Sequence, residues 1–132
     1  MMEIQRKFLV LGSFYGLTAV VLGAFGAHAL KEMIDAEAIA SFETGVKYQM
    51  YHALLLLFLG LETKIKPKAK KVLLYLIGVG IIFFSLSIYL LATNDFTAFN
   101  FKTIALITPI GGSLLIIAWI LMLFSFLKKD RK

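Results

Sequence analysis

The chain has no cysteine and only two prolines in its 132 residues. Without cysteine there is no disulfide, no thiolate nucleophile and no cysteine-ligated metal. With proline confined to Pro67 and Pro109, long stretches are free to run as unbroken helix. Charge is missing in a pattern: residues 8–29, 72–92 and 104–127 carry none of either sign. These stretches hold no carboxylate pair, no nucleophile–base pair and no glycine-rich phosphate loop, so an enzyme is not expected.

What is present is apolar surface. Hydrophobic residues make up 60% of the chain, twelve of them phenylalanine, and the mean hydropathy is +0.86. Soluble domains hold about 45–50% apolar residues. The length suits one domain. A net charge of +6 raises the question of nucleic acid, but the placement of the basic residues has a membrane explanation and no nucleic-acid partner is expected.

Residues 8–29 amount to roughly 33 Å of helix, enough for a hydrocarbon core of about 30 Å. Gly12, Gly16, Ala19 and Gly23 recur on one face and include a Gly-x-x-x-Gly, which lets another helix approach closely. Packing within the chain is the expected use, with a homo-oligomer as the alternative. Arg6-Lys7, the apolar run and Ala27-His28-Ala29 also resemble a secretory signal with its cleavage site. The run is longer than the usual core of about 7–15 residues and further spans follow, so cleavage is not expected.

Ile34, Ala38, Ile39, Phe42 and Val46 make one helical face, and Asp35 is a fitting cap. A long helix is expected over about residues 35–61, its first turns interfacial and its remainder crossing, with Lys47 snorkelling outward. Residues 62–71 form a sharp turn in which Pro67 disfavours helix at Lys66. The third span is expected at 72–92. A link at 93–102 carries Phe96, Phe99 and Phe101 in interfacial positions. In the fourth span, 104–127, Thr108-Pro109 and Gly111-Gly112 are expected to interrupt the helix near the outer face and free backbone carbonyls.

Charge sets the threading. The head, the lysine turn and the tail hold eleven of the fourteen Lys and Arg, while the other two links hold five of the eight acidic residues. By the positive-inside rule both termini face the cytoplasm. The expected fold is therefore an all-α, integral membrane four-helix up-down bundle of the plasma (inner) membrane. It is a single multi-pass domain with spans at about 8–29, 38–61, 72–92 and 104–127. The lysines at 64–71 could also attract anionic lipid at about 1 kcal/mol each, although topology alone accounts for them.

Intramembrane ionisable groups are the default places to look for function. His28 and His52 both occur as His-Ala-Leu. Counting from the cytoplasmic side puts His28 at roughly 30 Å and His52 at roughly 15 Å. That mismatch disfavours a shared haem or metal, and no cofactor is assigned. His52 shares a helical face with Tyr48, Gln49 and Gly45, and Tyr51 lies beside it. Ser85, Ser87 and Tyr89 of the third span, and Trp119 of the fourth at roughly 13 Å, are plausible partners. The favoured reading of His52, Tyr48, Gln49, Tyr51, Tyr89, Ser85 and Trp119 is a hydrogen-bond patch that fixes helix register or binds lipid or a partner. A proton-coupled carrier or other small transporter using His52, and a quinone- or haem-type site, are the alternatives. His28 and Glu43 are secondary candidates.

Four segments carry a family resemblance. They are Leu-Gly-Ala-Phe-Gly-Ala-His-Ala-Leu at 22–30, Phe-Glu-Thr-Gly-Val-Lys-Tyr-Gln-Met-Tyr-His-Ala-Leu at 42–54, Phe-Ser-x-Ser-x-Tyr at 84–89, and Thr-Pro-x-Gly-Gly at 108–112 followed by Trp119. Together they resemble the small membrane protein family called domain of unknown function 423, to which vertebrate transmembrane protein 256 is similar. The resemblance implies a four-span bacterial inner-membrane protein and brings no activity, substrate or cofactor. Leu86 stands where the family pattern has glycine, so a looser helix contact is expected there.

Overall fold

A computed structural model describes residues 2–94 and 105–128, and every described element is helical. The helices are α1 (Met2–His28), α2 (Ala36–Leu61), α3 (Pro67–Ile81), α4 (Ser87–Ala92) and α5 (Ile107–Leu127). One 3₁₀ turn (Leu30–Glu32) follows α1, and a π turn (Ile82–Leu86) joins α3 to α4 in one rod. Expectations for Phe96, Phe99, Phe101 and the tail beyond Lys128 lie outside the described residues. Among those described, three helices are long and apolar enough to cross a membrane: Glu3–Glu32, Pro67–Ala92 and Ile107–Leu127. The helix that carries Gln49 and His52 is not among them, because polar side chains break up its apolar run.

Local chemistry sets the ends of α2, while α1 and α3 begin before their apolar runs, so that residues 67–71, expected in the turn, are the first of α3. Residues 2–7, read as a head, are the first turns of α1. Asp35 caps α2, its Oδ1 accepting from the Ala38 amide at 2.8 Å. Lys66 is extended (φ −62°, ψ 147°) and Pro67 opens α3, the position where a missing N–H does no harm. The turn between them is closed by Glu62, whose carboxylate accepts from the Lys64 and Ile65 amides. Lys70 folds back into this turn, buried, with Nζ donating to the Glu62 carbonyl and 3.9 Å from its carboxylate.

The expected break in the fourth apolar segment does not occur, for α5 runs unbroken from Ile107 to Leu127. Pro109 is its third residue. The first four amides of a helix have no intrahelical acceptor, so proline costs little there. The Ser113 hydroxyl then donates to the Pro109 carbonyl at 2.8 Å.

Small residues set the packing. A Cβ on Gly12 would lie 3.0 Å from the Ala53 carbonyl, and one on Gly26 would lie 2.9 Å from the Phe42 ring. Gly16 and Gly23 face Ala53 and Val46, and Ala19 is buried. The glycine stripe of α1 thus lies against α2, in opposite directions, as expected for packing within the chain. The next pairing, α2 with the α3–α4 rod, joins Gly45 to Tyr89 at one end and Glu62 to Lys70 at the other. The rod meets α5 where Gly80 faces Leu115 and Ser87 faces Thr108. Ten residues of α2 and ten of the α3–α4 rod are buried, against three of α5, so α2 and the rod form the centre.

Of the glycines, Gly111 has the least room for a side chain. A Cβ there would sit 2.4 Å from the Phe84 nitrogen, 2.7 Å from the Phe83 carbonyl carbon and 2.8 Å from the Gly80 oxygen. This contact falls on the π turn, whose wider coil leaves carbonyls without their usual amide partners. Ser87 repairs it. Its Oγ lies 2.5 Å from the Phe83 oxygen, 2.9 Å from the Phe84 oxygen and 2.5 Å from Thr108 Oγ1. A hydroxyl has one proton; with that proton shared between the carbonyls, Thr108 must donate to Ser87. Leu86, one residue earlier, is 48% exposed, so glycine is not needed there and Gly80 and Gly111 provide the closeness instead.

Candidate functional site

The polar residues of α2 divide between two hydrogen-bonded groups on different faces. The first centres on Gln49, which is 5% exposed. Its Nε2 donates to the Tyr15 carbonyl at 2.9 Å and to Thr18 Oγ1 at 2.7 Å, and its Oε1 accepts from the Tyr89 hydroxyl at 2.7 Å. The amide can only be oriented this way, since the reverse would set Oε1 against the Tyr15 carbonyl. Beside it, Ser85 Oγ donates to the Gly45 carbonyl at 2.8 Å. The Tyr15 hydroxyl donates to the Gly78 carbonyl at 2.6 Å. Gln49 therefore ties α1 and α4 to α2, and Tyr15 ties α1 to α3.

The second group centres on His52, which is 4% exposed. Trp119 Nε1 lies 3.1 Å from His52 Nε2, and His52 Nδ1 lies 2.7 Å from the Tyr48 carbonyl. An indole N–H can only donate and a carbonyl can only accept. The ring is therefore neutral, with its proton on Nδ1 and its Nε2 lone pair held by Trp119. The Tyr48 ring stacks on His52 (centroids 6.2 Å apart, 21° between planes), and Trp119 meets the imidazole edge-on at 6.0 Å and 77°. Putting a second proton on His52 would set two N–H groups against each other and break the tie between α2 and α5.

The residues singled out by sequence fall as follows. Gln49, Ser85 and Tyr89 form one network, and His52, Trp119 and the Tyr48 ring form the other. Tyr51 points outward, 56% exposed, and reaches its neighbours only through a ring contact with Tyr48 at 5.9 Å. His28 closes α1 in an exposed position, and Glu43 is exposed on α2. Since Gly16 is level with Ala53 and Gly26 with Phe42, His28 sits roughly 18 Å along α1 from the level of His52. The two histidines do not share a site.

Tyr15 and Thr18 complete the Gln49 network, and Thr108 pairs with Ser87 apart from both; none of the three stands out in the sequence as a site residue. Thr18 and Tyr15 lie in an otherwise featureless apolar run, where a lone hydroxyl gives no signal of what it meets. Within the described residues, every buried side-chain nitrogen and oxygen has a hydrogen-bond partner, and no group of three or more His, Cys, Asp or Glu is placed to hold a metal.

A family model described as protein of unknown function (DUF423) matches residues 22–112. The chain is 39% identical over 124 residues to UPF0382 membrane protein SAB0533 of Staphylococcus aureus (strain bovine RF122 / ET3-1), covering 94% of this chain and 98% of that one. It is 37% identical over 124 residues to a UPF0382 membrane protein of Haemophilus influenzae, covering 94% and 96%. Similarity to UPF0382 membrane protein YwdK of Bacillus subtilis is 37% over 126 residues, covering 94% and 98%. No solved structure matches.

Proposed function

The chain belongs to the DUF423 family of membrane proteins of unknown function, and from that premise we propose a non-catalytic, four-span plasma-membrane protein whose buried polar residues hold helix register. The observation that carries this reading is His52. Both ring nitrogens are engaged inside the chain, leaving neither a lone pair nor an N–H for a substrate. Its partners are a backbone carbonyl and an indole N–H, neither of which passes a proton on, so no relay leads from the ring.

The case for α2 as a fourth span rests on its outward face. From Tyr48 onward the exposed residues are Tyr48, Tyr51, Leu54, Phe58 and Leu61, all uncharged; before it they include Glu37, Ser41, Glu43, Thr44 and Lys47. The apolar part is roughly 21 Å long, with Lys47 able to reach outward from its edge. Gln49 and His52 face partner helices, which satisfy them where lipid could not. Pairing of successive helices in opposite directions then makes an up-down bundle with both termini on the lysine-turn side, the cytoplasmic one.

The absence of cysteine makes the threading directly testable with single introduced cysteines. Glu37→Cys should react with a membrane-impermeant maleimide in intact cells, and Lys68→Cys and Lys128→Cys only after permeabilisation. Labelling of Lys68→Cys in intact cells would overturn the orientation.

His52 has its own test. Equilibrium unfolding in mixed micelles of His52→Asn, Trp119→Phe and the double variant should give a coupling of about 0.6–1.7 kcal/mol, the range of hydrogen bonds between membrane helices. In proteoliposomes carrying a pH gradient, wild type and His52→Asn should leak protons equally. A flux that wild type supports and His52→Asn loses would establish the carrier instead.

A further inference from the structure

An open groove of about 930 Å³ runs between α1 and α3. Its walls are apolar and aromatic, among them Phe14, Tyr75, Val79 and Ile82, and its rim at one end carries Arg6 and Lys7. The floor is closed where α1 and α3 meet at Gly78, against Leu11 and beneath the Tyr15 hydroxyl. Lys71, exposed, lies one helical turn before Tyr75 on the same side of α3. Leu11 and Gly78 share a level, so Lys7 and Lys71 lie roughly 6 and 10 Å below it along their helices. The three cations therefore gather at one depth, with Glu3 the only acid on the groove wall.

Two further features bear on the occupant. From Glu3 to Tyr15 along α1 the groove is roughly 18 Å long, close to one leaflet of a hydrocarbon core of about 30 Å. Among the described residues the single ion pair is Lys70 with Glu62, so Arg6, Lys7 and Lys71 have no carboxylate within salt-bridge distance. The lysine turn is a poorer candidate: Lys64, Lys66 and Lys68 are exposed and lie outside this groove, and Lys70 is turned inward.

We propose that this groove is a binding site for one anionic phospholipid, its acyl chain along Phe14, Tyr75 and Val79 and its phosphate held by Arg6, Lys7 and Lys71. The guanidinium of Arg6 offers two parallel N–H groups to phosphate oxygens, and the lysines add point charges. The aromatic and branched walls take the chain. The proposal rests on membrane location alone and is independent of which way the termini face.

Native mass spectrometry of the full chain, released from nanodiscs of phosphatidylcholine with a minor fraction of phosphatidylglycerol, tests it. Wild type should retain one phosphatidylglycerol in excess of its share of the bilayer. Arg6→Gln and Lys7→Gln should each lower that retention about fivefold, and together about 25-fold. Glu3→Gln should raise it. Val79→Trp, which fills the slot, should remove bound lipid of either headgroup. Lys64→Gln/Lys66→Gln/Lys68→Gln should leave retention unchanged. Arg6 and Lys7 are exposed, so their variants keep the fold and decide the matter even where Val79→Trp does not express. Retention that ignores Arg6, Lys7 and Glu3, or that falls with the turn lysines instead, would overturn the proposal. So would a dimer carrying no lipid, which would assign the groove to a second copy of the chain.

Discussion

Gly111→Ala should cost about 3 kcal/mol or more and leave little folded protein, whereas Gly112→Ala should be neutral or stabilising. The two positions are adjacent in one helix, so intrinsic propensity favours alanine equally at both, by about 1 kcal/mol. Only the surroundings differ. At Gly111 the new methyl group meets backbone atoms of the π turn and of Gly80 in α3 at 2.4–2.8 Å, and backbone cannot rotate aside. At Gly112 it meets the edge of the Phe84 ring at 3.5 Å, an ordinary contact. Overpacking usually costs about 1–3 kcal/mol when side chains can yield; here α5 would have to move off the rod, and Ser87 would lose Thr108 with it. Unfolding in mixed micelles gives the comparison. Equal effects at the two sites would mean that the close approach is not a feature of the folded protein.

Gln49→Leu is expected to cost about 2–3 kcal/mol while nearly preserving volume. Three hydrogen bonds disappear, and the Tyr89 hydroxyl is left buried without an acceptor. Hydrogen bonds between membrane helices average about 0.6 kcal/mol, because an unfolded chain in lipid also finds partners. The larger figure here reflects an orphaned phenol in addition to the lost bonds. Gln49→Glu, protonated in that setting, keeps an acceptor for Tyr89 and should recover part of the loss. Tyr89→Phe combined with Gln49→Leu should cost less than the separate effects summed, since the orphan is removed along with its partner. A Gln49→Leu protein as stable as wild type would remove Gln49 from the account of helix register.

Both predictions concern contacts between helices, and that is where sequence reasoning stopped short. The limits of α2 were legible to within a residue because local chemistry sets them, with Asp35 as its cap. Both α1 and α3 begin earlier than their apolar runs, at Met2 and Pro67, because charged residues form helix as readily as apolar ones and hydropathy does not mark where a helix begins. The error at Thr108-Pro109 came from treating proline as a breaker without knowing which turn it occupied. One turn deeper it would have been one; in the first turn it replaces an amide that had no acceptor. Of the candidate site, helical spacing put Tyr48, Gln49 and His52 on one side of α2. It could not show that Gln49 faces α1 and α4 while His52 faces α5. Three residues turn a helix through about 300°, so the two side chains point roughly 60° apart, enough to meet different partner helices.

By itself, then, the amino-acid order determined what depends on composition and on neighbours along the chain: a membrane protein, all helix, with its long helices, its turns and a polar segment in the second helix. The tertiary structure alone decided what depends on neighbours in space. It paired Tyr15 and Thr18 with Gln49, set Gly111 on a π turn, and turned His52 from a candidate titrating group into a neutral ring with both nitrogens engaged. A hydroxyl or an imidazole is the same residue whether its partner is protein, ligand or water, and only the fold says which it meets.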